Sequence, residues 1–148
     1  MPLTATTKIL IALGIVVFVF VIGIGAFLVW MILFPGKPSP ADEAKIAEGR
    51  EFAKTTDQQG CITEGVKRAR QIGFFDIDKK VAHKYFVAGC LQNSRPTPDF
   101  CDDVPGFWNF KGKEWEQAQC EKVGLNPLGT ACEIVYEEQI DFCSGHYK

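Results

Sequence analysis

Charge of either sign is missing from Ile9 to Phe34, a run of 26 residues, and no acidic residue precedes Asp42. This absence excludes an ordinary amphipathic helix, which keeps one polar face towards water. The hydrocarbon core of a bilayer is about 30 Å thick and a helix rises about 1.5 Å per residue, so about 20 apolar residues cross it. The run exceeds that length and reads as a membrane-spanning helix. With no ionisable group inside, it offers no proton or ion path. Gly14, Gly23 and Gly25 are not spaced as G-x-x-x-G, so the close-packing signature of paired membrane helices is missing too. A cleaved secretory leader is the competing reading, with Gly23-Ile24-Gly25 before Ala26 as the cut. Cutting there would leave FLVWMILF as an apolar new terminus, so an uncleaved anchor is preferred.

Catalytic signatures are also lacking. There is no G-x-S-x-G, Walker loop, H-E-x-x-H or dinucleotide fingerprint, so no catalytic residue and no cofactor is assigned. Only two histidines and no C-x-x-C occur, which argues against a zinc site, and no metal ligand is assigned. His83, between Lys80 and Lys84, reads as an exposed or boundary histidine. Ser144-Gly145-His146 lies too near the chain end to hold a nucleophile against a base. Asp102-Asp103 lacks the further spaced oxygen ligands that calcium requires. From Gly36 onward 15 Lys and Arg face 18 Asp and Glu, which gives no field for nucleic acid. No N-x-[ST] acceptor occurs, in keeping with a bacterial chain, although only three asparagines are present to form one.

Six cysteines are present, and all of them (Cys61, Cys90, Cys101, Cys120, Cys132, Cys143) follow the apolar run. An even count in a small domain reads as a disulfide framework, which needs an oxidising compartment. Flanking charge pulls weakly the other way, since Lys37 and Lys45 after the run outnumber Lys8 before it. The cysteines outweigh two lysines. The expectation is a cytoplasmic N-terminus and a C-terminal domain outside the cytoplasm, in the periplasm of a bacterium with its anchor in the inner membrane. Six cysteines permit fifteen pairings, and helix geometry removes some. Cys132 and Cys143, on one helix, stand about 16 Å apart, beyond the about 7 Å that a bridge tolerates between Cα atoms. A nested pattern satisfies this geometry: Cys61 with Cys90, Cys101 with Cys143, Cys120 with Cys132. Sequence alone does not choose it over every rival. The shortest gap between cysteines is ten residues, unlike the much closer spacing of saposin-like and odorant-binding domains.

The expected organisation is a short tail (1–8), the membrane helix (9–34), a linker and polar stalk helix (35–60), and a disulfide-stapled domain of about four helices (61–148). The tail beyond the membrane helix is too short for two domains. Pro35-Gly36-Lys37-Pro38-Ser39-Pro40 breaks the first helix as a short, stiff connector. Ser39 suits an N-cap, with Pro40 at the first helical position and Asp42 three residues after the cap. The helix that follows, through about Gln59, has only Ile46 and Phe52 as large apolar residues, hence its reading as a stalk or lightly docked helix. Ile62, Val66 and Ala69 mark the next helix, through Ile72, and Ile77, Val81, Tyr85 and Ala88 the one after it, capped by Asp76. Gly73-Phe74-Phe75 joins the two as an antiparallel hairpin. Residues 94–109 hold three prolines and read as irregular. A helix spans about Gly112 to Val123, with Gly124 and Leu125 suited to its C-terminal cap. Thr130 to Glu133 reads as a capping box opening the last helix, through about Cys143. No strand pattern or internal repeat appears, so the fold class is all-α.

Residues 61–84 carry six basic and three acidic residues, while 99–148 carry four basic and ten acidic. The plainest reading is two solvated faces, with docking between them as the alternative. Phe107, Trp108, Phe110 and Trp115 crowd into nine residues beside Phe100. Either they plug a small core or they form a surface for a partner or for lipid headgroups. An anchor, a small stapled domain and no catalytic constellation together suggest a binding module, serving as an accessory or assembly subunit of an envelope complex. An inhibitor or immunity-type protein directed at one enzyme, and an anchored enzyme of unrecognised type, are the rivals.

Overall fold

The computed structural model describes residues 5–33, 38–107, 109, 111–127 and 130–146, with side chains of the first helix described over 13–28. The chain divides into two units, Met1–Lys37 and Pro38–Lys148. The first holds one helix, α1 (Ala5–Leu33), apolar on every face described. Residues 13–28 fall short of a span, and among the described residues no helix is long and apolar enough to cross a membrane. The expected break at 35–37 lies outside the described residues.

The second unit is all-α: α2 (Pro40–Ala53), α3 (Gln58–Ala69), α4 (Ile77–Asn93), α5 (Gly112–Lys122) and α6 (Cys132–Cys143). Ser39 caps α2 as its sequence suggests. Its Oγ accepts from the Asp42 N–H at 3.2 Å, and its own N–H donates to Asp42 Oδ2 at 2.9 Å. This helix ends six residues before the expected Gln59. Asp57, whose Oδ1 accepts from the Gly60 N–H at 2.8 Å, supplies a new N-cap and starts α3. A polar sequence concealed a break because the capping residue, not hydrophobic period, decides where the chain turns.

The reading of α2 as a stalk is corrected. Its sequence offers few large apolar side chains because backbone, not side chain, makes its contact with α4. A Cβ on Gly49 would meet the Phe86 carbonyl oxygen, and one on Gly89 would meet that of Ile46. Two facing glycines thus bring the helices closer than larger residues permit. Ala53 is buried beside them, and Phe52 meets the Phe86 ring at 6.0 Å. The domain therefore begins at Pro38 and not at Cys61.

Helices α2, α3 and α4 run up, down and up. At one end Arg95, just after α4, donates its N–H to the Thr56 carbonyl (3.4 Å) and accepts from the Gln58 N–H (3.0 Å). At the other end Lys45 of α2, Gln71 and Ile72 after α3, and Lys79 of α4 share one cleft. Chain arrival at Pro40 and the Gly73–Asp76 turn accordingly lie at the same end. Helix α5 stops at a left-handed Gly124 (φ 69°), with Leu125 N–H bonded to the Cys120 carbonyl and Gly124 N–H to that of Glu121, both 2.9 Å. That pair of bonds is the Schellman arrangement, with Leu125 buried over it. The capping box expected at Thr130 does not form. Ala131 occupies the cap position of α6, Thr130 Oγ1 accepts from the Cys132 N–H (3.3 Å), and Glu133 turns to Lys113 at 2.6 Å.

Three disulfides join Cys61 to Cys90, Cys101 to Cys143 and Cys120 to Cys132, with Cα separations of 5.8, 5.5 and 5.9 Å. These are the pairs of the nested pattern. Cys61, Cys90, Cys120 and Cys132 sit in the core with Val87, Leu91 and Val135, whereas Cys101 is exposed.

Two measurements check this packing. Gly89→Ala forces backbone apart and is expected to destabilise the full chain in detergent by about 3 kcal/mol in denaturant titrations. Gly106→Ala, with nothing within 4 Å of its new Cβ, is expected to stay within about 0.5 kcal/mol of wild type. Graded reductant followed by alkylation and mass mapping is expected to open Cys101–Cys143 first, since access of the attacking thiolate sets the order.

Candidate interaction surfaces

The residues singled out in the sequence separate in space. Trp115 is half-buried at the core margin, edge-on to Tyr136 with ring centroids 5.8 Å apart, so it contributes to packing. Phe107 is 44% exposed, against His146 at 4.1 Å, and its N–H donates to Ser144 Oγ at 3.0 Å. Ser144 and His146 therefore tie down the 107 loop and do not meet as nucleophile and base. Trp108 and Phe110 lie outside the described residues. Phe100 is buried edge-on to Phe142, and its carbonyl accepts from Gln139 Nε2 at 3.2 Å. Asp102 and Asp103 are exposed, and among the described residues no group of three or more acidic, histidine or cysteine side chains is placed to hold a metal.

His83 departs from expectation: it is only 5% exposed. Its ring lies near parallel to Phe86, it shares a hydrogen bond with the Gly65 backbone, and Nε2 has no hydrogen-bond partner. Burial, reinforced by Arg68, lowers its pKa to about 4, so it is neutral at physiological pH. It floors a cleft of about 350 Å³ between α2, α3 and α4 whose rim carries Lys45, Arg68 and Lys79. Arg68 organises this rim. It lies 3.7 Å over the Phe86 ring, pairs through Nη1 with Glu48 (2.5 Å) and through Nε with Glu64 (2.9 Å). Hydrogen bonds from Lys45 and then Arg68 hold Glu48 below the usual carboxylate range. A neutral imidazole under a cationic rim, without a carboxylate to orient it or a nucleophile beside it, is suited to accepting a polar group and not to acid–base relay.

The charge contrast seen in the sequence is used once, at a buried site. Lys84 of α4 reaches Glu137 at 3.5 Å and Glu138 at 3.2 Å on α6. Glu138 has no exposed surface, and burial, outweighing Lys84, pushes its pKa up to about 7.

One exposed surface escaped sequence reading. At the α3–α4 turn Phe74 is 56% exposed, Phe75 88% and Ile77 62%. Phe74 and Phe75 meet edge-on at 5.0 Å, and Lys80 Nζ lies 4.9 Å from the Phe74 ring while donating to the Phe74 carbonyl at 2.9 Å. Asp76 accepts from the Gly73 N–H at 3.1 Å and pairs with Lys79 at 3.2 Å, which fixes the turn and keeps its carboxyl below the ordinary range. Two adjacent phenylalanines in a glycine-led turn were the available signal, and their role as a connector hid it.

Comparison with family models, curated proteins and solved structures finds no match.

The Glu138 site yields a signed pH dependence. Its folded pKa lies above the ordinary 4.5, so the folded chain holds an extra proton between 4.5 and about 7, and stability from this group is present below 4.5 and lost as pH rises. His83 has the opposite sign: its stability is present above 6.5 and is lost as pH falls towards about 4. In Glu138→Gln the His83 contribution is unchanged. The melting temperature of the variant minus that of wild type is therefore expected to climb between pH 4.5 and 7, measured by circular dichroism.

Proposed function

We propose that the chain is a single-pass membrane protein presenting a rigid binding module outside the cytoplasm, as an accessory or assembly subunit of an envelope complex. The observation that carries this reading is a division of chemistry along the chain. Ile9 to Phe34 is uncharged and long enough to span, while every cysteine lies beyond it and is closed in a bridge. A reducing cytosol would keep such thiols open. The positive-inside count opposes this orientation only by Lys37 and Lys45 against Lys8. The bacterial periplasm is the compartment that fits best.

Binding is favoured over catalysis by the cleft at His83. A hydrolytic or transfer enzyme there would need convergent carboxylates or an activated nucleophile; the rim is cationic, and all six cysteines are bridged. An inhibitor directed at one enzyme is the second reading, favoured by the exposed Asp99, Asp102 and Asp103 loop. A partner there would carry a basic site, and its affinity would collapse with salt.

Gentle solubilisation of native membranes followed by affinity purification of the full chain is the test. A stoichiometric membrane-complex neighbour is expected. A single secreted or imported enzyme, released by salt, would replace the subunit reading with the inhibitor one. Six alkylatable thiols in freshly lysed cells would remove the compartment assignment.

A further inference from the structure

We infer that the α3–α4 turn is a lipid-docking wedge: Phe74, Phe75 and Ile77 enter the interfacial layer of an anionic bilayer while Lys79 and Lys80 meet its phosphates. The inference rests on the reading of α1 as the membrane anchor.

Three observations carry it. The first is exposure without packing. Phe75 is 88% exposed, in a turn whose backbone is fixed by Asp76 and Lys80, so the aromatic pair is held out and not merely loose. Large apolar side chains displayed this way mark a surface that another phase covers.

Position is the second. The up-down-up course of α2, α3 and α4 puts the turn at the end of the domain where the chain arrives at Pro40. Six residues separate Leu33, the last of α1, from Pro40, and even fully extended they reach only about 25 Å. The chain therefore enters the domain from the proposed anchor at the same end that carries the turn. Such tethering raises the local concentration of lipid at the turn without any new contact.

Composition is the third. Lys79 and Lys80 follow the aromatic pair, and Lys45 stands in the adjoining cleft. Asp76 and Asp78 are the acids of the same stretch; the Lys79–Asp76 pair is exposed, and a lipid phosphate that takes Lys79 replaces it. Aromatics that sit at headgroup depth beside lysines that meet phosphates are the composition of an interfacial segment.

Hydrogen exchange on the full chain tests the wedge, in nanodiscs of phosphatidylethanolamine and phosphatidylglycerol and in a neutral detergent micelle. Amides of 73–78 are expected to exchange at least about fivefold more slowly in the nanodisc, and Phe74→Ser with Phe75→Ser is expected to abolish that difference. Both side chains are exposed, so the variant should keep its bridges and its melting temperature; a lowered melting temperature would place the rings in the core and overturn the wedge. Equal exchange in both environments overturns it. So does protection that appears in native membranes but not in pure lipid, which assigns the turn to a protein partner. Protection of the same size in phosphatidylcholine nanodiscs overturns the role of the lysines. Carbonate extraction run beside it reports separately on the anchor: a chain that leaves the membrane refutes the anchor itself, whereas one that stays but shows no protected turn refutes only the wedge.

Discussion

Ordering each residue of a chain costs about 1–2 kcal/mol in backbone freedom, and the domain beyond Pro38 has few large aliphatics with which to offset it. Among the described residues the fully buried large side chains are Phe86, Leu91, Glu138, Val87 and Val135, together with four half-cystines. Three cross-links acting mainly on the unfolded ensemble, each worth about 2–4 kcal/mol, add to what that small core supplies. Everything else in the domain is arranged around them. Cys61–Cys90 fixes the register of α3 on α4, Cys120–Cys132 closes the α5–α6 pair, and Cys101–Cys143 brings the irregular segment onto the last helix.

Given those cross-links, small residues become useful. Gly49 and Gly89 let α2 lie against α4 at backbone distance, and Gly65 admits Val135 and Val87 in the same manner. Close approach carries the polar chemistry with it. Arg68 covers Phe86 and gathers Glu48 and Glu64, and Lys84 bridges to the fully buried Glu138. The proposed roles share this origin: a rigid module can hold Phe74 and Phe75 out in the open because nothing in its interior needs them.

Local chemistry was legible where one residue decides the outcome. Ser39 with Asp42, the Gly124 stop and the helical spacing that allowed the bridges could all be read from the chain. What could not be read depends on partners distant in sequence. The close approach at Gly49 depends on the Phe86 carbonyl and the Cys90 N–H, more than 35 residues further along the chain. Thr130 and Glu133 had the right spacing for a capping box, but Lys113 drew the glutamate away. His83, flanked by lysines, gave no sign that Gly65 and Arg68 of α3 would face it. The aromatic cluster was counted by proximity along the chain, whereas Trp115 points to Tyr136 and Phe107 to His146.

Traced as a graph of covalent bonds, the stapled domain consists of two closed circuits. One runs from Cys61 to Cys90, the other from Cys101 to Cys143 with the third bridge inside it. A protease cutting once within either circuit leaves a single molecule, its fragments still fastened to each other. Between the circuits only residues 91–100 connect them, and there Arg95 and Thr97 are fastened by hydrogen bonds to Thr56, Gln58 and Gln59. That short strap is the one stretch between the outermost cysteines where a single scission would part the domain into two separate pieces.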